Sequence, residues 1–212
     1  MARPRSDISE RIRQAACARF LADGVDGASL RGIAADAKTN IGMVYYYYAS
    51  KEELFFAVVE EVYAKLVADL ALVLAPALSV EERLHRLYER FGMLSEEELR
   101  VLRLVVGEVI KSNDRFERIA ERFKSGHVPL VAQTVVQAFA DGTFAPGRHP
   151  LVALVSVLSL AGFAQIAARF AGPRLPFPNA PAGPELSRAL LDVLLHGLAA
   201  PALHAAAREL PP

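Results

Sequence analysis

One cysteine in 212 residues, Cys17, excludes an intramolecular disulfide and any metal site built from several cysteines. It sits in AACARF, where a small buried helix residue is the expected role. Net charge is also missing, because 24 Lys and Arg balance 24 Asp and Glu. A DNA reader of this composition must concentrate its positive charge locally. The N-terminus does so modestly, with Arg3, Arg5, Arg11, Arg13 and Arg19 against Asp7 and Glu10. That stretch is polar and charged rather than basic and then apolar, so no signal peptide is expected and the chain reads as cytoplasmic. The histidines, His85, His127, His149, His196 and His204, neither pair at i,i+4 nor cluster with cysteine, so no metal is expected. G-x-S-x-G, the phosphate-loop glycines and the dinucleotide fingerprint are all absent, so neither an enzyme nor a cofactor is expected. Glu96, Glu97 and Glu98 suit the first turn of a helix, where negative charge is favourable.

Apolar residues are abundant: 53% of the chain, above the usual 45–50% or so. Surplus apolar surface of this kind suggests an oligomer interface, a ligand cavity, or both. No strand alternation and no internal repeat appears, and apolar residues recur at helical spacing from end to end, so the fold class is all-α. Ile8, Ile12, Ala16 and Phe20 form one stripe that ends at Gly24. Ser50-Lys51-Glu52-Glu53 is a capping box opening a long helix to about residue 74, before Pro76. Ser95 with Glu98 is another. Further helices are expected over 80–94, 99–110, 115–124, 127–140, 150–170 and 185–198, with a proline-rich connector at 171–183 and a disordered arm at 1–5. The run LVALVSVLSLAGFAQIAA, 151–168, approaches membrane-spanning length. Ser156, Ser159 and Gln165 interrupt it, and the expectation is a helix buried against a partner, not a membrane.

Residues 29–51, SLRGIAADAKTNIGMVYYYYASK, organise the rest. Leu30, Ile33, Ala34 and Ala37 share a helix face behind the N-cap Ser29. After a break at Lys38-Thr39-Asn40, the N-cap Asn40 opens a second short helix with Val44 and Tyr48 inward. Two short helices joined by so tight a turn have the layout of a helix-turn-helix, whose second helix enters the major groove.

The stretch IGMVYYYYASKEEL resembles the TetR (tetracycline-repressor-like) family signature through Gly42, Tyr45, Tyr48 and Lys51, and the resemblance extends upstream through Ile12, Ala16, Phe20, Gly24, Ser29, Ile33 and Ala34, over about residues 8–56. The family usually has glycine where this chain has Lys38; a left-handed backbone there costs a non-glycine residue about 1–2 kcal/mol. The resemblance implies a transcriptional regulator, most often a repressor, that binds double-stranded operator DNA as a homodimer. A DNA-binding domain over 1–50 is followed by an effector-binding and dimerisation domain over 51–212, connected by the long helix 51–74. Side chains early in a recognition helix reach base edges, which suggests Asn40, Ile41, Met43, Tyr46 and Tyr47. Tyr45, Lys38 and Lys51 suit phosphates, and Ser29 and Arg31 open the preceding helix, Arg31 on the strength of the resemblance. The family implies a small, often apolar effector among the central helices, where Phe91, Phe116, Phe123, His127, Gln133, Phe163 and Gln165 are candidate contacts. Leu151, Leu154, Val155 and Leu158, with Leu190 and Leu194, are expected to form a four-helix dimer interface. Two rival readings stand beside this one: a small-molecule-binding protein or enzyme with a vestigial DNA-binding module, and an architectural protein that binds DNA without sequence preference.

Overall fold

Capping residues start most of the helices. In the computed structural model, which describes residues 5–170, Arg174, Pro176 and 179–196, Ser29, Asn40, Ser79, Ser95 and Ser112 each accept a backbone N–H of the turn they open. At Ser95 the box is complete, with Glu98 returning to the Ser95 N–H. The helices are α1 (Arg5–Gly27), α2 (Leu30–Asp36), α3 (Ile41–Tyr47), α4 (Lys51–Val73), α5 (Val80–Gly92), α6 (Glu96–Lys111), α7 (Asn113–Ser125), α8 (His127–Ala140), α9 (Pro150–Phe170) and α10 (Gly183–His196). Among the described residues there is no strand. Residues 1–4 of the expected arm, residues 171–173, 175, 177 and 178 of the connector, residues 197 and 198 of the expected last helix, and His204 lie outside the described residues.

The helix stop expected at Gly24 is a kink: at φ 74°, ψ 165° its backbone leaves the helix, and one more turn carries on to Gly27. Only glycine adopts that conformation readily. Helix α9 is likewise not uniform, since Ser159–Phe163 forms a π-turn, which takes up one extra residue.

By packing, the chain divides into two units: Met1–Leu72 with Leu94–Leu130, and Val73–Met93 with Val131–Pro212. The first unit is built on one core. Ile12, Ala16 and Phe20 from α1 meet Ile33, Ala34, Val44 and Tyr48 from the short helices, Leu54, Phe55 and Val58 from α4, and Val101, Leu104, Val105 and Ile119 from α6 and α7. Helices α2 and α3 therefore share their core with α6 and α7 as well as α4. The chain passes between the units three times, at 72–73, 93–94 and 130–131.

The second unit is held by close helix contact. A Cβ added at Gly92 in α5 would come 2.7 Å from Ser187 Oγ and 2.9 Å from the backbone of Pro184, so α5 and α10 approach as only glycine permits. At Gly162 the packing is looser, since an added Cβ would lie 3.4 Å from the Phe91 ring. The buried polar groups are satisfied: Gln165 donates to Ser187 Oγ at 2.8 Å, and the Tyr88 hydroxyl donates to the Val157 carbonyl at 3.4 Å.

Candidate nucleic-acid interface

Seven residues cannot hold themselves helical in water, so α3 must be fixed from outside. Three devices fix it. Asn40 Oδ1 accepts the Met43 N–H at 3.0 Å, capping its start. Val44 and Tyr48 anchor its inner side, and the Tyr48 hydroxyl lies 2.8 Å from Ser9 Oγ and accepts from Arg13 Nη1 at 3.2 Å. Arg13 in turn forks onto the Glu61 carboxylate of α4, so one guanidinium ties α1, the end of α3 and α4 together.

The third device is the turn. Lys38 sits at φ 53°, in the left-handed region. Its N–H donates to Ala35 O at 3.0 Å, and that of Thr39 donates to Ala34 O at 3.0 Å. This pair of bonds is a Schellman motif with lysine where glycine is usual. Arg11 steadies it from α1, donating to the Ala37 carbonyl at 2.6 Å.

With its inner side fixed, α3 shows Gly42, Tyr45 and Tyr46 outward, a face of i, i+3 and i+4 spacing; Tyr45 is 54% exposed and Tyr46 63%. Ser29, Arg31, Lys38 and Asn40 are exposed as well. Ile41, Met43 and Tyr47, expected to point outward, are half-buried, and Ile41 and Tyr47 pack against the core. Tyr47 also meets the Tyr46 ring edge-on at 5.1 Å. Gly42 was not among the expected contacts, yet a Cβ there would press to 3.1 Å on Asn40 Oδ1, crowding the cap.

The local positive charge expected at the N-terminus is largely engaged within the protein. Arg11 and Arg13 are held as described, and Arg19 forks onto Asp36 at 2.6 and 3.1 Å. That hydrogen bond holds the Asp36 carboxyl below its ordinary pKa. Lys51 is engaged too, since its Nζ donates to the Asp26 and Ala28 carbonyls at 2.6 and 3.0 Å, leaving one of three donors. The Glu53 carboxylate accepts the Ala49 N–H at 3.0 Å, so the box opening α4 closes one residue before Ser50.

The candidate effector contacts divide between the two units. Phe116, Phe123 and His127 belong to the first unit, and Phe91, Gln133, Phe163 and Gln165 to the second. Phe116 and Gln133 are exposed. Gln165 is committed to Ser187, and Phe91 is packed against Gly162. Phe163 is 56% exposed and adds to the apolar side of α9, where Leu151, Val152 and Val155 are also more than half exposed. The other expected interface residues, Leu154, Leu158, Leu190 and Leu194, are half-buried.

Phe123 and His127 stack with Tyr63, which sequence reading missed. The Tyr63 hydroxyl lies 2.9 Å from His127 Nδ1 and donates to the Arg122 carbonyl. Burial pushes the His127 imidazole down to about 4. A cleft of about 180 Å³ in the first unit is lined by others, among them Arg13, Cys17, Glu61 and Arg100. The Cys17 thiol there is pushed up by burial, which disfavours the reactive thiolate.

Known proteins agree with this geometry. Residues 12–58 match the profile of bacterial regulatory proteins, tetR family. The HTH-type transcriptional repressor NicS of Pseudomonas putida is 41% identical over 69 residues, 29% of this chain and 32% of NicS. The HTH-type nicotine-responsive transcriptional repressor HdnoR of Paenarthrobacter nicotinovorans is 27% identical over 134 residues, 62% of this chain and 69% of HdnoR. The chain thus spans about a third of the length of NicS and rather more of HdnoR. In fold it is similar to the transcriptional regulator FadR of Bacillus subtilis, solved in complex with stearoyl-CoA, with a TM-score of 0.73 at 17% identity over 90% of this chain and 99% of FadR. Residues 12–58, which hold the helix-turn-helix, thus match the bacterial regulatory proteins of the tetR family, within a fold that is helical throughout the described residues.

Proposed function

We propose that the protein is a one-component transcriptional repressor of the cytoplasm, a homodimer that docks two α3 helices on operator DNA and releases it when a small molecule binds. The observation that carries this reading is the outward face of Gly42, Tyr45 and Tyr46 on a helix held rigid from behind. Asn40 and Met43 are offered as readers of base edges at its start, with Arg31, Lys38 and the remaining donor of Lys51 toward phosphates. The regulator is not itself an enzyme.

The expected test is a gel shift with the full-length protein on the DNA upstream of its own gene. Sequence-specific retention supports the reading. Retention indifferent to sequence supports an architectural protein instead, and none at all supports a vestigial DNA module. Lys51→Ala should weaken binding to all duplexes alike and lower the salt slope by about one per half-site. A changed base preference with an unchanged slope would reverse the roles given to Lys51 and to the start of α3.

The exposed apolar side of α9 suits a second copy, with α9 and α10 of each protomer forming a four-helix bundle. The effector is offered as a small, mainly apolar molecule; HdnoR is nicotine-responsive and FadR was solved with stearoyl-CoA. Helix α4, 23 residues long, spans roughly 35 Å at about 1.5 Å per residue. A tilt of roughly ten degrees moves its end by about 6 Å, enough to spoil docking of two readers about 34–36 Å apart. By linkage, operator DNA must then weaken effector binding by the factor with which the effector weakens DNA binding.

A further inference from the structure

The helix-turn-helix segment is bracketed by two carboxylates, Asp26 at the end of α1 and Glu52 in the first turn of α4. One side chain from a distant helix holds both. Arg115 of α7 donates from Nη2 to Asp26 Oδ1 at 2.5 Å, from Nη1 to Asp26 Oδ2 at 3.2 Å, and from Nε to Glu52 Oε2 at 3.2 Å. Nη1 also donates at 2.7 Å to Glu108, a carboxylate of α6 that is only 2% exposed. The guanidinium is 8% exposed and lies 6.0 Å from the Phe55 ring. Beside it Arg118 stacks at 3.8 Å on Phe56 and reaches Glu52 at 3.9 Å. Asp26 is held a second time, because its carbonyl and that of Ala28 take the Lys51 ammonium.

We infer that Arg115 is a positioning residue for operator recognition: through Asp26 and Glu52 it sets where α2 and α3 are presented. This rests on the repressor reading above and adds to it a path of control. The chain leaves α7 through Gly126 and continues as α8 into the second unit, so the staple lies on a covalent route between the two. A guanidinium suits the role because its planar fork fixes direction as well as distance, which an ammonium does not. The hydrogen bond from Arg115 holds the Asp26 carboxyl below its ordinary range, so both stay charged at neutral pH.

Arg115 itself is a poor first target, since its loss leaves Glu108 buried without its closest partner. The full-length double variant Asp26→Asn/Glu52→Gln instead detaches α7 from the reader and leaves the Arg115–Glu108 pair in place. The probe is the set of duplexes that the wild type enriches from a random pool, together with versions whose half-site separation is changed by one base pair. Removing two negative charges strengthens binding to every duplex alike, so the readout is a ratio. The preference for the enriched duplex over a random one should fall about tenfold and the preference for the enriched spacing should flatten, while the melting temperature stays within a few degrees. Arg115→Lys, which keeps the charge without the fork, should give an intermediate ratio. A double variant with wild-type ratios overturns the inference, as does a uniform loss of binding that tracks a lowered melting temperature. A wild type that enriches no sequence overturns the repressor reading, and this inference falls with it.

Discussion

Each unit has a buried apolar core, and the two differ in what fixes their helices beyond it. In the first, polar side chains reach across long stretches of sequence: Arg115 to Asp26 is 89 residues, Arg13 to Glu61 is 48, and Tyr63 to His127 is 64. In the second, a small residue lets helices approach, Gly92 against Pro184 and Ser187, and the cross-helix polar bonds include the Gln165–Ser187 pair. Directional bonds fix the orientation of a short helix, which a reader needs. Apolar contact is less particular about angle, and on α9 it leaves a face more than half exposed. Under the repressor reading proposed above, a part that is aimed and a part that associates are thus built from different interactions.

The sharpest way to break the contrast is beside that apolar face, at the half-buried Leu158 and Leu194. Leu158→Glu with Leu194→Glu should weaken self-association at least roughly a hundredfold, because each leucine buried contributes about 1.5–3 kcal/mol and each 1.4 kcal/mol or so is tenfold. Sedimentation reads this directly. A soluble double variant that still sediments as a dimer would remove the interface.

Acid should act on the first unit. The His127 imidazole titrates at about 4 in the folded state, against an ordinary value of about 6.5. A lowered histidine pKa means that the unfolded chain takes up the proton first, so stability is full above about 6.5 and falls as pH drops toward 4. The loss is up to about 3 kcal/mol, at about 1.4 kcal/mol per unit. Urea midpoints at pH 7 and 5 should separate for the wild type and converge for His127→Gln. Equal acid sensitivity in both proteins would mean that burial of His127 contributes nothing.

Close approach is the matching weakness of the second unit. Gly92→Ala should cost about 1–3 kcal/mol, the usual penalty of overpacking, because the backbone of Pro184 cannot step aside. A melting temperature equal to wild type would mean that α5 and α10 separate readily.

The smallest effect is at the turn. Lys38→Gly relieves a left-handed lysine and should stabilise the protein by about 0.5–1 kcal/mol, after allowing for the entropy of glycine. If Lys38 contacts a phosphate, the same variant binds DNA more weakly while melting higher. A variant that melts lower would show that the lysine is not strained.

Local rules carried the sequence reading well: the caps at Ser29, Asn40 and Ser95 are each decided within a few residues of chain, as is the break in the helix at Gly24. What could not be read was pairing at a distance. Arg11, Arg13 and Arg19 look like free positive charge in a sequence, and only folding reveals the Ala37 carbonyl, Glu61 and Asp36 beside them. Arg115 looks like an ordinary surface charge on a short helix for the same reason. At the interface Val44 and Tyr48 are foreseen inside, because spacing decides a helix face. Ile41, Met43 and Tyr47 are more covered than foreseen, because how far the core of α1 and α4 reaches round α3 is not written in α3.

The shortness of α3 also governs how the protein opens. A helix of seven residues has almost no life of its own, so it forms only when α1 brings Ser9, Arg11 and Arg13 against it. Its amide protons should therefore exchange with solvent only when the whole first unit opens, as slowly as those in the middle of α4, and not at the fraying rate usual for a short surface helix. Deuterium uptake confined to α3 would mean that the reader melts alone, and recognition would then include a folding step on the DNA.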